Sequence, residues 1–411
     1  MPADPRAGER LAAARMGDLE TAMWRLERRD PLLRASITAV AYLDRSPGYE
    51  RLRRRVDLLS RVEPRFRDRV VDGPGGSPRW HPDPDFDLAY HVRAVRAPAD
   101  GDAEPGRDAV LRLAEPIAGD GFDHARPLWQ MTLVEGLAGG EAAVILKLHH
   151  TFTDGLGAAR LALVLFGGEA DSPDPDPEDL PALAEGVPPT AFGQLWEDVE
   201  HELARTGELA RRAVPAVLGL LRQAIEAPEE RAAAAVGRVR SLTRLAVPTT
   251  SPLSPVMTGR SLGTSLAALR VPLAETRERA HSAGGTINDA FVATVLDGLR
   301  RYHTKHGATP PALRVGVPIS TRSADRVDDL ANQVAPARIV APLQLAEFGP
   351  RLAAVHDLVA AERAEPALAA MDALAAVANR LPVAAPAIGA VMRSMDVMAS
   401  NVPGSPAPLF L

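Results

Sequence analysis

Apolar residues recur at helical spacing over residues 16–27 (Leu19, Met23, Leu26), which predicts an amphipathic helix. The run at 35–43 (ASITAVAYL) is rich in small and β-branched residues and reads as a strand. Residues 49–62 return to the helical period with arginines on the polar side. A strand at 90–96, a helix at 107–118 and two strands at 129–135 and 142–148 follow. The last two strands are divided by the turn sequence Gly136-Leu-Ala-Gly-Gly. Residues 157–166 are apolar enough for a buried helix.

The pattern then breaks. From Gly167 the chain runs through an acidic, proline-rich stretch (GGEADSPDPDPED) that marks an exposed linker. Residues 192–245 read as mostly helical, interrupted at Pro215 and Pro228, and a second strand-and-helix region begins near Arg260. No fixed-period repeat is present. Alternating strands and helices on both sides of the linker give an α/β (α+β) class with two similar units. The expected boundaries are an N-terminal lobe at 1–167, a linker and helical crossover at 168–258, and a C-terminal lobe at 259–411.

At 411 residues the chain exceeds one ordinary core, and 46% hydrophobic residues suffice for two. The net charge of -6 supplies no basic field for nucleic acid. Cysteine is absent, which excludes disulfides, a thiolate nucleophile and cysteine-ligated metal. Lysine occurs only at 147 and 305. The first residues lack the apolar core of a signal peptide, and the apolar stretch 366–392 is broken by Asp372, Arg380 and prolines. A cytoplasmic location is expected, with contact at the inner face of a membrane left open.

The most informative residues are His149-His150-Thr151-Phe152-Thr153-Asp154-Gly155, placed where an apolar strand ends and a helix begins. A histidine there can take a proton from a hydroxyl near neutral pH. Asp154 is suited to orient the turn or cap the helix, and Gly155 allows close backbone approach. The bland alternative is two histidines at a strand end beside an ordinary cap. A metal at His150 and Asp154 lacks further ligands in pattern, so none is expected.

This HHxxxDG pattern is shared by CoA-dependent acyltransferases and peptide-synthetase condensation domains. Its flanks resemble one family in particular, the bacterial wax ester synthase/diacylglycerol acyltransferases. Asp85-Phe-Asp-Leu-Ala-Tyr-His-Val-Arg, Arg126-Pro-Leu-Trp129, Gly284-Gly-Thr-Ile-Asn-Asp289, Val317-Pro-Ile-Ser-Thr-Arg322 and Ser400-Asn-Val-Pro-Gly404 are similar to that family's motifs and stand in its order.

The resemblance implies two chloramphenicol-acetyltransferase-like lobes with an active-site tunnel between them. It also implies an O-acyltransferase that moves a long-chain acyl group from acyl-CoA to diacylglycerol or a fatty alcohol. His150 would be the base, His149 its support, and Asp154 an orienting residue paired with Arg322. Asn288 and Asp289 would shape the tunnel, although Asn288 also fits a plain N-cap for a helix at 290–302. No cofactor is implied, acyl-CoA being a substrate. Pro127, Leu128 and Trp129 read as packing, and His91, His124 and His281 as structural or exposed.

The apolar segment at 213–222, with Arg211, Arg212 and later Arg231, Arg238 and Arg240, suits either a membrane or lipid-droplet surface or a connector helix. Two departures from the family pattern stand out. Ala331 precedes Asn332 where the family has glycine, and the chain stops soon after the SNVPG-like segment. That stop leads to an expectation of a shortened second lobe with an unpaired edge. An acyltransferase acting on another hydroxyl or an amine, and a non-catalytic lipid-binding paralogue, are the competing readings.

Overall fold

A computed structural model of the chain describes residues 15–73, 78–99, 104–153, 161–162, 164–167, 251–320, 334–364, 379, 384–402, 404–405 and 408–411. The first helix, α1 (Asp18–Arg29), carries Asp18 and Glu20 in its first turn and Arg28 and Arg29 in its last, which complements the helix dipole. The Glu20 carboxylate also accepts the Gly17 backbone N–H at 3.0 Å. The helix stops just before Pro31, as the chemistry of the pre-proline residue requires.

The face it buries only partly follows the stripe Leu19, Met23 and Leu26. Leu19 and Met23 are half-buried, whereas Glu20, Trp24, Leu26 and Glu27 are buried. Counting apolar residues alone missed two carboxylates that turn inward.

Strand β1 (Ser36–Leu43), helix α2 (Tyr49–Val62) and the hairpin β2 (Asp68–Asp72) and β3 (Pro78–Pro82) come next. The segment expected as strand from residue 90 instead opens with a helical turn, α3 (Leu88–His91), capped by the Asp87 side chain, and becomes β4 (Val92–Arg96) two residues later. Helix α4 (Arg107–Gly119) and strands β5 (Trp129–Glu135) and β6 (Ala142–His149) complete this region. The sheet order is β1-β6-β5-β4, with β6 antiparallel to both neighbours and β4 parallel to β5.

Central strand β6 is covered on both faces, which is why it reads as an unbroken apolar run. Val144 and Leu148 face the main core with Trp129, Met131, Phe66 and Trp80. Ala143 and Ile145 face α4 through Val110 and Ala114. Period-two geometry places Lys147 and His149 on this second side, beyond the apolar contact with the helix.

Beyond residue 250 come α5 (Leu273–Ser282), α6 (Ile287–Lys305), β7 (Ala312–Ser320), β8 (Val334–Pro342), α7 (Phe348–Arg363), α8 (Ala384–Arg393) and β9 (Val397–Met398). They build a second sheet, β8-β7-β9, with its own core from Val292, Leu296, Val315, Ile339, Leu352 and Val355. Asp396 ties the segment before α5 to this sheet by accepting the backbone N–H groups of Leu253, Ser254 and Arg314.

The late chain also reaches the first lobe. Arg393 pairs with Asp30 at 2.7 Å, and Phe410 and Gly167 exchange backbone hydrogen bonds at 2.6 and 2.9 Å. No described helix is long and apolar enough to cross a membrane. Residues 168–250, most of the expected linker and crossover at 168–258 and all of the apolar segment at 213–222, and Ala331 lie outside the described residues.

Candidate active site

His150 is the first residue after β6. Its backbone N–H donates to the carbonyl of Ala35, just before β1, at 2.6 Å, and its side chain is half-buried. The neighbours on either side turn fully inward: His149, Thr151, Phe152 and Thr153 have no exposed surface. A half-buried imidazole is thus set among four anchored residues.

Phe152 is held in an aromatic cluster, edge-on to Phe66 (centroids 4.9 Å apart) and Trp80 (6.1 Å). Its carbonyl accepts from Arg65 Nη1 at 3.3 Å, and Arg65 lies over the Trp80 ring. The N–H of Phe152 closes a turn onto the carbonyl of His149 at 2.9 Å. The Thr153 hydroxyl is buried without a hydrogen-bond partner.

The His149 ring has polar partners at both nitrogens. Nδ1 lies 3.1 Å from the Thr151 backbone nitrogen and 2.7 Å from its hydroxyl. A backbone N–H can only donate, so Nδ1 carries a lone pair and the ring proton sits on Nε2. Nε2–H donates to Glu27 Oε2 at 2.6 Å. Burial works against the Glu27 carboxylate, but the hydrogen bonds from His149 and the Ala35 N–H, with the His124 ring 3.8 Å away, outweigh it and hold the pKa well below the usual range. Trp24 and Phe122 stand edge-on to the same ring.

The RPLW-like segment supports this arrangement from behind. Leu128 and Trp129 are fully buried, and the Leu128 carbonyl accepts the His149 N–H at 2.9 Å. Trp129 donates its indole N–H to the Phe66 carbonyl at 2.8 Å and stacks on His91 at 4.5 Å. His91 Nδ1–H donates to the Trp129 carbonyl at 2.8 Å, and burial pushes its pKa down. Arg126 reaches Asp83 at 3.4 Å and the Asp85 carbonyl, joining this motif to the DFDLAYHVR segment.

Two further histidines are peripheral: His124 is half-buried over Trp24, and His281 is exposed. Lys147 is 1% exposed; its ammonium donates to the Asp120 carbonyl at 2.6 Å and lies over the Phe122 ring, and burial pushes its pKa down.

In the second lobe the GGTIND segment is a helix start. Gly284 takes φ +79° after α5, and Gly285 packs under Leu352 of α7. Thr286, not Asn288, is the N-cap of α6, in a reciprocal capping box with Asp289. The helix therefore begins three residues before 290, and Asn288 lies in its first turn with its side-chain NH2 buried and unpaired. Asp289 is buried and accepts from the Thr286 N–H and hydroxyl and from His356 Nδ1 at 2.9 Å. Burial opposes its charge, but these bonds leave its pKa lowered.

Asp154, Gly155 and Arg322 lie outside the described residues, so the expected Asp154–Arg322 pair carries no geometry here. Among the described residues no group of three or more His, Asp or Glu is arranged to hold a metal. Sequence reasoning missed Glu27, which lies 122 positions before His149. Its only trace in sequence is an acidic residue at helical spacing from Glu20 and Trp24 on an otherwise core-facing side.

Comparison with known proteins gives this architecture a class. Residues 16–291 match the model of the wax ester synthase/diacylglycerol acyltransferase catalytic domain. A Mycobacterium tuberculosis protein provisionally named a diacylglycerol O-acyltransferase is 33% identical over 398 residues, covering 93% of this chain and 77% of its own. A second protein of that organism with the same provisional name is 29% identical over 380 residues, covering 89% and 76%.

Among solved structures, the wax ester synthase/diacylglycerol acyltransferase from Marinobacter aquaeolei VT8 aligns with a TM-score of 0.58 at 21% identity, over 96% of this chain and 84% of that one. The first condensation domain of the calcium-dependent antibiotic synthetase aligns at 0.54 and 16%, over 86% and 76%. Both share the mixed α/β fold. The chain belongs to the wax ester synthase/diacylglycerol acyltransferase family and is an acyltransferase.

Proposed function

We propose that the protein esterifies a lipid alcohol, either diacylglycerol or a long-chain fatty alcohol, with the acyl group of a long-chain acyl-CoA, and that His150 is the general base. The observation that carries this reading is the placement of His150: a half-buried histidine just past the end of a buried strand, with His149, Thr151, Phe152 and Thr153 buried around it. In this reading the imidazole takes the hydroxyl proton as the alcohol oxygen attacks the thioester carbonyl. The C–O bond forms, the C–S bond breaks, and the imidazolium returns its proton to the departing thiolate. Holding both substrates against one base removes much of the entropic barrier, and neither a metal nor an acyl-enzyme is needed.

His149 orients the loop. Asp154 paired with Arg322, together with Gly155, fixes its far end, while Asn288 and Asp289 shape the acyl or acceptor passage from the second lobe. Contact with a membrane or lipid-body surface would deliver the acceptor.

The test is His150→Ala assayed with radiolabelled palmitoyl-CoA against diolein and hexadecanol. Loss of a general base costs about 10²- to 10⁴-fold. A variant retaining more than half of wild-type turnover removes His150 from the chemistry. Turnover by the wild type of some other hydroxyl or amine, with neither lipid alcohol used, moves the acceptor assignment.

A further inference from the structure

The buried carboxylate of Glu27 is not needed as an acid or base by the chemistry above, yet it sits at the centre of the contacts around His150. One oxygen, Oε2, accepts the His149 Nε2–H at 2.6 Å and the Ala35 backbone N–H at 3.2 Å. The two arms then converge. The carbonyl of Ala35 accepts the N–H of His150 at 2.6 Å. The His149 ring, through Nδ1, accepts the N–H of Thr151 at 3.1 Å. The peptide units before and after the His150 Cα are each therefore two hydrogen bonds from the same oxygen. The other oxygen, Oε1, faces His124 at 3.8 Å.

The rest of α1 acts in the same direction. Glu20, Trp24 and Glu27 lie on one buried face of the helix. Trp24 meets the edge of the His149 ring at 6.0 Å, and Glu20 lies 4.0 Å from Arg65, which donates to the Phe152 carbonyl. A buried carboxylate is expensive to keep unless its lone pairs are used, and here Oε2 accepts both of its hydrogen bonds from groups that hold the segment carrying the proposed base.

We propose that Glu27 is a positioning residue for His150, fixing the peptide on each side of it through Ala35 and through the His149 ring. This rests on His150 being the reactive histidine. The role is one of length and acceptor geometry, and that separates it from a charge effect. In Glu27→Gln the amide oxygen reaches the same two N–H donors, and the NH2 replaces the oxygen beside His124. Glu27→Asp keeps the charge but withdraws the acceptor by one methylene, so the two arms are no longer both met. Glu27→Ala removes them together.

The experiment compares these three variants in the full chain by steady-state kinetics and by 15N NMR of histidine-labelled protein. Glu27→Ala is expected to lower kcat about 10- to 100-fold with the acyl-CoA KM within about twofold, since misplacement by an ångström carries a penalty of that size. Glu27→Gln is expected to stay within about threefold of wild type and Glu27→Asp to fall clearly below it. In the spectra, wild type and Glu27→Gln should show His149 protonated at Nε2. Glu27→Asp and Glu27→Ala should shift or broaden both the His149 and His150 rings.

Should Glu27→Ala fail to fold, the order of Gln and Asp decides. An active Asp variant beside an impaired Gln variant would overturn the proposal in favour of charge. Unchanged kinetics in both, or a kcat loss with an unmoved His150 signal, would overturn it as well. The spectra read the positioning even if no alcohol tested is a substrate, so failure of the acyl-transfer reading and failure of the Glu27 assignment remain separate results.

Discussion

Gly285 offers a direct measurement of how closely the second lobe is packed where it carries Asn288 and Asp289. A Cβ at this position would lie 2.4 Å from Leu352 Cδ2, 3.1 Å from Leu352 Cγ and 3.4 Å from Asp289 Oδ2. Ordinary carbon contacts fall near 3.5–4.0 Å, so the overlap exceeds about 1 Å. Gly285 is not in the left-handed region, so alanine meets no backbone penalty and the cost is packing alone.

Leu352 is completely buried on α7. Either it leaves its rotamer, at about 0.5–1.5 kcal/mol, or α7 shifts. Overpacking of this kind costs about 1–3 kcal/mol, and we expect about 2 for Gly285→Ala. Leu352→Ala alone should cost about 2–5 kcal/mol through the cavity it leaves. In the double variant the new methyl occupies that cavity. The double variant should therefore lose about 1–2 kcal/mol less than the sum of the two single losses.

Urea unfolding followed by tryptophan-independent circular dichroism measures each corner of the cycle. Additivity within about 0.5 kcal/mol would show that the methyl never meets Leu352 and would refute the packing argument.

Other outcomes follow from the site. The folded pKa of Asp289 is depressed, so the stability it contributes is present above the ordinary aspartate value of 3.8 and is lost as pH falls through the lower folded value. Asp289→Asn should accordingly flatten the acid limb of a stability–pH curve; an unchanged slope below pH 4 would contradict this. Trp129→Phe leaves the Phe66 carbonyl without its indole donor and should cost about 1–3 kcal/mol in chemical denaturation, with a neutral result disproving the bond's importance. Asp154→Asn and Arg322→Met should each reduce acyl transfer and melting temperature, with a coupled double-mutant cycle; strict additivity would separate the two residues.

How much of this was legible beforehand depends on the range of the interaction. Helix α2 falls at 49–62 as its period predicts, and β5 and β6 emerge from runs whose ends are marked by glycines. The motif around His150 was readable because strand end, histidines and turn are contiguous. Asn288 was misassigned as a cap because Thr286, two residues earlier, offers a hydroxyl to Asp289 in a reciprocal box, a competition that spacing alone does not rank. The inward face of α1 was only partly legible, for a different reason. Apolar counting assigns Glu20 and Glu27 to solvent, and their partners Arg65 and His149 come from elsewhere in the chain. The hairpin β2–β3 carries Arg79, Trp80 and His81 inside, a mixed composition that no period-two rule marks as buried.

The seating of Lys147 gives the protein an unplanned practical property. Its ammonium is enclosed beneath the Phe122 ring, whereas Lys305, the other lysine of the chain, is exposed near the end of α6. An amine-reactive dye added to the folded protein should therefore attach at Lys305 well ahead of Lys147, leaving β6 untouched. A second label appearing at Lys147 would then time the opening of the strand that ends at the two histidines, giving a footprint of that local event without any introduced cysteine.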